Sequence, residues 1–584
     1  GEFLGRVVFF AHWLNRFLDA ATLPRWPGRG KGNPCPGALG QAATNRLPLA
    51  KRLTKLPLPF MIVDSFFCHR AALGQAGCRM KKSLRFLLLV ALALGQALSA
   101  WAQQRAPVKR PNILMIVADD MNWDSPGCFG GAAPDITPNI DGLAAAGMRF
   151  EHAYVNIAVC TPSRSVMLTG LYPHNNGAEG FQRIRQGTPT LPAILSEEGY
   201  FCGTVGKPLR QRDVFHWSVV YRWQGTGDEN KWGRDPGQYR RFARSFFQMA
   251  AESQQPFFLM ASSHDPHRTY GGGASRKRHF ERAASSRTYR PYEVKVPGFL
   301  PDLPDIRKEM AGYCTSTRRL DDMVGVVLDE LAEAGRVDDT IVVFLSDHGM
   351  SAPFAKTNCY VESTRTPLIV RWPGKVAAKQ VDRRHMISTV DLLPTLLEAV
   401  GLPSPDRQDG RSFLPLLKGE TQSGRDAVFA QFHHIHGRKP YPMRSVITRD
   451  HVYVFNTWAN GKRTYSAEPM AGLTYRAMKR AGEKDVRLAK RVHHLEYRTV
   501  EEFYDLKDDP FCLKNLAADR PAAMSVLQKQ LRDWMVKYGD FALEAFDQRD
   551  SPAALEQFMK DYTERSGKEV EALKPYEEAK RYRF

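Results

Sequence analysis

The sequence predicts an α/β protein: a large, mostly parallel sheet flanked by helices, followed by a smaller C-terminal antiparallel-sheet domain. Three observations carry that reading. From Pro111 onward short apolar runs alternate with amphipathic stretches, the pattern of repeated strand–helix units. Four of the apolar runs end directly in charged or imidazole-bearing residues. Beyond about Asp426 the pattern changes to short strands and one later helix, which suits an antiparallel sheet with a helix packed on it.

Residues 112–118 (NILMIVA) read as a buried strand, and residues 140–148 and 191–198 have helical spacing. Residues 201–205, 256–262 and 340–345 are further strands, with a long helical stretch at 305–334. A strand at 367–372 and a helix at 391–400 complete the first domain, placed at 103–425. The second, placed at 426–545, has strands at 427–432, 444–448 and 452–455, a segment at 503–506 and a helix at 521–538. The tail, 546–584, is charge-rich and helical in pattern, and is expected to dock loosely or extend.

The start of the chain has a different character. Met80-Lys81-Lys82-Ser83-Leu84-Arg85 is a basic segment, Phe86 to Leu94 is wholly apolar, and Ala100-Trp101-Ala102 is an A-x-A cleavage site. That order makes residues 80–102 an export signal, too short in its apolar part to be a comfortable membrane anchor. The mature protein is therefore expected to be periplasmic or secreted, with no membrane span after cleavage. Residues 1–79 show no helical or strand period and are expected to be a spurious upstream extension. They supply +8 of the formal net charge of +20 and the signal supplies +3, which leaves about +9 from Gln103 onward. That balance suits an anionic substrate. Nucleic acid is not indicated, because no basic block is interleaved with aromatics. Six of nine cysteines follow Gln103, and none forms a C-x-x-C pair that would suggest zinc.

The chemistry lies at the strand ends. Asp119-Asp120 follow the first strand, Gly206-Lys207 the second, His264-Asp265-Pro266-His267 the third, and Ser346-Asp347-His348-Gly349 the fourth. In an open parallel sheet these ends share one edge, where ligands bind. Asp119, Asp120, Asp347 and His348 are the predicted metal ligands, and a carboxylate-dominated set suits Ca²⁺ or Mg²⁺. Between the first two strands stands Cys160-Thr161-Pro162-Ser163-Arg164, followed by Ser165-Val166-Met167-Leu168-Thr169-Gly170. Pro162 near a first turn predicts a helix opening at Cys160, its N–H groups and positive dipole end facing an anion.

The C-x-P-S-R pentad, with Leu-Thr-Gly downstream, resembles the signature of the type I sulfatases, formylglycine-dependent enzymes of the alkaline-phosphatase-like superfamily. The resemblance implies that a maturation enzyme oxidises Cys160 to formylglycine, whose hydrate attacks sulfur. Loss of the second hydroxyl's proton then expels sulfate and restores the aldehyde. It further implies that Asp119, Asp120, Asp347 and His348 hold Ca²⁺, that Lys207 and Lys356 bind sulfate oxygens, that Arg164 braces the hydrate and that His264 protonates the leaving group. One position departs from the pattern: the family usually has histidine two residues after the lysine, where this chain has Leu209, and His216 is the residue that could take its place.

Within that family the chain most resembles the heparan N-sulfatases (N-sulfoglucosamine sulfohydrolases). The resemblance rests on Phe257-Phe258-Leu259 leading into His264 to Arg268, on Lys356-Thr357-Asn358-Cys359-Tyr360, and on Tyr441-Pro442-Met443-Arg444-Ser445-Val446 preceded by His433-His434. His267, His433, His434 and Arg444 are the candidate substrate-binding residues it yields, and a polar seam between domains is the other use open to the last three. The implied activity is hydrolysis of sulfate from a sulfated sugar, N-sulfoglucosamine of heparan- or heparin-type glycosaminoglycan. An O-sulfatase on another polysaccharide, a phosphatase or phosphonate hydrolase of the same superfamily, and a non-catalytic glycan-binding relative are the alternatives.

Overall fold

The computed structural model describes residues 110–207, 211–221, 233–271, 284–435 and 439–581. The extension, the export signal and Leu209 lie outside the described residues.

The strands of the first domain are β1 (Asn112–Asp119), β2 (Met148–Phe150), β3 (Ala153–Tyr154), β4 (Phe201–Gly206), β5 (Val219–Tyr221), β6 (Phe257–Pro266), β7 (Thr340–Ser346), β8 (Leu368–Arg371), β9 (Gln380–Asp382) and β10 (Ile387–Ser388). Eight of them form one sheet in the order β5-β4-β6-β1-β7-β8-β2-β9, and β3 and β10 form a small parallel pair. β1 lies between β6 and β7 and runs parallel to both. Only β8 runs against its neighbours, β7 and β2.

The helices that cover the sheet are α1 (Pro138–Ala145), α2 (Cys160–Thr169), α3 (Pro236–Ser253), α4 (Pro304–Glu333) and α5 (Leu392–Ala399). Ile113, Met115 and Val117 of β1 pack into one core with Met167 and Leu168 of α2 and Leu393 and Leu397 of α5. Leu114, Ile116 and Ala118 face the opposite core, with Phe246 of α3 and Leu320 and Val324 of α4. Both faces of β1 are buried, which is why the strand reads as an unbroken apolar run. Each such side chain contributes roughly 1.5–3 kcal/mol on leaving water.

The structure shortens the helix expected at 140–148. It ends at Ala145, and Met148 already belongs to β2. Gly147 marks the change: a Cβ there would lie 2.4 Å from the carbonyl oxygen of Val370, so only glycine lets the chain approach β8 this closely. The strands that sequence periodicity did not reveal (β2, β3, β5, β9, β10) have two or three residues each, too few to show a period.

The second sheet is antiparallel, in the order β11 (Ala427–His434), β12 (Pro440–Thr448), β13 (His451–Asn456) and β14 (Glu501–Asp505). Helices α6 (Leu473–Gly482) and α7 (Val486–Tyr497), which the sequence analysis did not anticipate, lie between its last two strands. Helix α8 (Ala522–Tyr538) packs on β12 and β13. The tail forms α9 (Pro552–Arg581) and its first turns dock closely: Leu555, Met559 and Tyr562 are buried, and the Tyr562 ring stacks on Phe541 at 5.4 Å. The six cysteines among the described residues are all unpaired.

Candidate active site

Parallel pairing brings the four predicted strand ends to one edge. Ala118 is level with Ser346, Asp119 with Pro266, and Gly206 with Ser262. Gly206 has φ +90°, and a Cβ there would sit 2.0 Å from the Ser262 carbonyl oxygen. The glycine therefore turns the chain off β4 against β6 and delivers Lys207 to the edge. Asp120 also has positive φ, +65°, with its N–H donating to Asp347 Oδ1 at 3.1 Å. A non-glycine residue held in this region costs about 1–3 kcal/mol and is concentrated at functional sites.

Cys160 is the first residue of α2, preceded by Val159, which offers no capping side chain. Pro162 carries no N–H and the Ser163 N–H donates to the Val159 carbonyl oxygen, so the amides of Cys160 and Thr161 are the first-turn donors an incoming anion would meet. The Cys160 thiol and the metal-type side chains converge. One ligand atom each from Asp119, Cys160 and Asp347, and one each from Asp120, Cys160 and His348, lie within 4.8 Å of one another, and all five residues are buried.

Each carboxylate has a cation. Lys207 Nζ donates to both oxygens of Asp119, at 2.7 and 2.5 Å, and Lys356 Nζ donates to Asp120 Oδ2 at 2.6 Å. Arg164 Nε donates to Asp347 Oδ2 at 2.9 Å, and its Nη2 stands 3.7 Å from Asp119. Burial pushes the Asp119 and Asp120 carboxyls up, but the cations outweigh it. Lys207, His267 and Arg164 hold Asp119 well below the usual carboxylate range, and His267 and Lys356 lower Asp120. Against burial, Asp119 raises Lys207 to about 12. Asp119 and Asp120 are therefore ionised and the two lysines charged at neutral pH.

Two atoms in this charged cluster lack partners. His348 Nδ1 lies 3.0 Å from the Gly349 carbonyl oxygen, an acceptor only, so that nitrogen carries the proton and Nε2 bears a lone pair. Nε2 is 3.3 Å from Asp120 Oδ1, and among the described residues neither atom has a hydrogen-bond partner. Two lone-pair donors facing each other in a buried site repel unless a cation lies between or beside them. Three carboxylates and one imidazole make a hard, oxygen-dominated set, which fits Ca²⁺.

The predicted residues do not all stand where the resemblance put them. His267 Nε2 lies 3.7 Å from Asp120 Oδ2, and against burial Asp120, Asp119 and the neighbouring Cys160 raise its pKa. Its Nδ1 sits 2.6 Å from the Arg268 carbonyl oxygen, which fixes that nitrogen as a donor and turns Nε2 to the site. His264 stands beside Lys207 and Arg234, and burial together with Lys207 pulls its pKa down to about 3. It is uncharged at neutral pH, whereas His267, beside Asp120, is the more basic of the two. The Arg164 guanidinium is engaged by Asp347 and Asp119 and thus fixes the carboxylates. His216 is exposed, with its Nδ1 3.9 Å from Glu197, and does not stand in for the family histidine.

His433, His434 and Arg444 do not reach over the site. All three are buried. Arg444 is locked to Asp540 by both nitrogens of its fork, and His433 contacts Gln431 and the Tyr562 hydroxyl of α9. They form the polar seam that holds the second sheet and α9 together. The sequence analysis missed Glu468 and Ser351. Ser351 Oγ donates to Glu468 Oε2 at 2.5 Å, and that oxygen lies 3.3 Å from Lys356 Nζ. No spacing links position 468 to the strand ends, so periodicity carried no signal for it.

This geometry agrees with the likeness to known proteins. Residues 111–402 match the family Sulfatase, and residues 347–458 match the family N-sulphoglucosamine sulphohydrolase, C-terminal. N-sulphoglucosamine sulphohydrolase of Homo sapiens is 31% identical over 469 residues, covering 73% of this chain and 89% of that protein. The chain belongs to the sulfatase family. As a sulfatase-family member it is a hydrolase of sulfate esters or sulfamates. An ulvan-active sulfatase of Formosa agariphila is 28% identical, covering 74% of this sulfatase chain and 76% of that one. The solved structure of BT4656 with its substrate D-glucosamine-2-N,6-O-disulfate superposes with a TM-score of 0.56 at 19% identity, over 74% of this chain and 99% of that one, a likeness of fold.

Proposed function

We propose that this sulfatase removes sulfate from N-sulfoglucosamine of heparan- or heparin-type glycosaminoglycan, outside the cytoplasm. The observation that carries the reading is the convergence of Cys160, at the open end of α2, with three carboxylates, one unpartnered imidazole nitrogen and two lysines. Likeness to the human N-sulphoglucosamine sulphohydrolase, reaching into the second sheet through residues 347–458, supports the sugar. Export rests on the signal at 80–102; among the described residues no helix is long and apolar enough to cross a membrane.

Converted to formylglycine by a maturation enzyme, Cys160 would supply a hydrated-aldehyde nucleophile, and Ca²⁺ on Asp119, Asp120, Asp347 and His348 would supply charge against the sulfuryl oxygens. The chain's own groups do the rest. Lys207 and Lys356 turn their ammonium groups from the carboxylates toward sulfate oxygens. Arg164 holds Asp119 and Asp347 in place so that the ligand set does not spread. His267 delivers a proton from Nε2 to the leaving nitrogen or oxygen, a step worth about 10²–10⁴ in rate.

Desulfation of a panel of defined glycosaminoglycan and algal oligosaccharides, with products located by mass, tests the substrate. Loss of one sulfate from N-sulfoglucosamine at the non-reducing end is expected. The likeness to an ulvan-active sulfatase favours a second reading, O-desulfation of another polysaccharide, and cleavage confined to the algal arm would establish it. Initial rates on paired aryl sulfate and aryl phosphate exclude phosphatase chemistry if sulfate is strongly preferred.

A further inference from the structure

Glu468 comes from the second domain, in the short 3₁₀ turn Glu468–Ala471 between β13 and α6, yet its side chain stands at the mouth of the strand-end site. Lys356 Nζ lies between two carboxylates, 2.6 Å from Asp120 Oδ2 and 3.3 Å from Glu468 Oε2. Ser351 anchors the same oxygen at 2.5 Å, and Arg268 Nη1 stands 3.8 Å from the other, Oε1. Lys356 is buried, whereas the Glu468 side chain is 39% exposed, so its outer edge meets solvent beside the buried Lys356–Asp120 pair.

A sulfate held by Lys356 would put the sugar bearing it against that outer edge. A fixed, ionised carboxylate there accepts hydrogen bonds from ring hydroxyls and repels a second sulfate or a carboxylate on the same ring. It also neutralises part of the charge on Lys356 and Arg268, which would otherwise form a second anion-binding pair. We propose that Glu468 is a specificity-determining residue that admits a ring carrying one sulfate and free hydroxyls and rejects a ring carrying a second anionic group.

The inference rests on the N-sulfoglucosamine reading above, and the experiment separates the two. The purified, matured enzyme is assayed on N-sulfoglucosamine and on its N,6-O-disulfated counterpart, with N-sulfate release followed in both. Wild type is expected to prefer the monosulfated sugar in kcat/KM. Glu468→Gln should reduce that preference about tenfold, mainly through a lower KM for the disulfated sugar, the scale of one partly solvated charge acting over a few ångströms. Glu468→Asp keeps the charge and should keep the preference. A ratio unchanged in Glu468→Gln, with both efficiencies falling together, would mean that the residue only supports the fold and overturns the proposal. Loss of the preference in Glu468→Asp overturns it as well. A wild-type enzyme that cleaves both sugars equally well refutes the role of Glu468 alone; one that cleaves neither refutes the substrate reading and this inference with it.

Discussion

Two buried clusters of charge in this molecule are built in opposite ways. Around Cys160, three carboxylates crowd together and leave Asp120 Oδ1 and His348 Nε2 without partners. Around Glu502, one buried carboxylate accepts from Asn456 Nδ2 at 2.8 Å, from Tyr360 Oη at 2.5 Å, from the Tyr504 hydroxyl and from His494 Nε2 at 3.1 Å. The second cluster is complete in itself and joins the first domain, through Tyr360, to the second sheet. The first is complete only with something added. Unsatisfied buried polar atoms are costly, so a protein retains them where a ligand answers them.

The contrast can be broken most severely at the nucleophile. Cys160→Ser is expected to lower sulfate release by about 10⁴-fold or more while leaving the thermal transition within a few degrees of wild type. Peptide mapping should find an aldehyde at position 160 in the active protein alone. Full turnover by the serine variant would mean that the crowded carboxylates serve some other chemistry.

The next largest effect separates the two histidines. His267→Asn should reduce kcat on the sugar by about 10²–10³-fold and much less on an activated aryl sulfate, whose leaving group needs no acid. His264→Asn should affect both substrates alike and by less. The opposite pattern would return the acid to His264.

Much of this site was legible because its parts obey local rules. Asp119, Lys207, His264 and Asp347 each follow an apolar run, and a parallel sheet must bring such positions to one edge. Cys160 and Pro162 announced a helix start, and the helix does begin there. Choosing between His264 and His267 was beyond sequence, because it depends on the tautomer set by the Arg268 carbonyl and on the neighbouring charge of Lys207. Arg444 looked like a substrate contact because nothing local reveals Asp540, ninety-six positions away, as its partner. Helices α6 and α7 escaped notice because their polar faces dominate short segments packed on one side only.

Arg444 supplies a test on the structural side of the comparison. It is wholly buried against Asp540 and touches no residue of the Cys160 cluster among the described contacts. Arg444→Met leaves Asp540 buried without its counter-charge, which costs about 3–5 kcal/mol in a denaturant titration. The fraction that stays folded should retain the wild-type KM. A raised KM at unaltered stability would instead put Arg444 in the substrate pocket.

The smallest expected effect concerns acid. Burial raises the Glu502 carboxyl, but His494, Arg498 and the Tyr360 hydroxyl more than reverse this and hold its pKa at about 2. The folded-state value is below the unfolded one, near 4.5, so the unfolded chain binds the extra proton between these limits. Glu502 therefore contributes stability above about pH 4.5, and that contribution, roughly 3 kcal/mol, is lost as pH falls toward 2. Glu502→Gln cannot titrate, so its stability deficit relative to wild type should shrink steadily between pH 5 and pH 3 in urea melts. A deficit independent of pH would show that the carboxylate is held by shape and hydrogen bonds that a neutral amide reproduces, and the closed cluster would then owe nothing to its charge. The Cys160 cluster permits no such substitution, because its ionised oxygens are what a cation and a sulfate require.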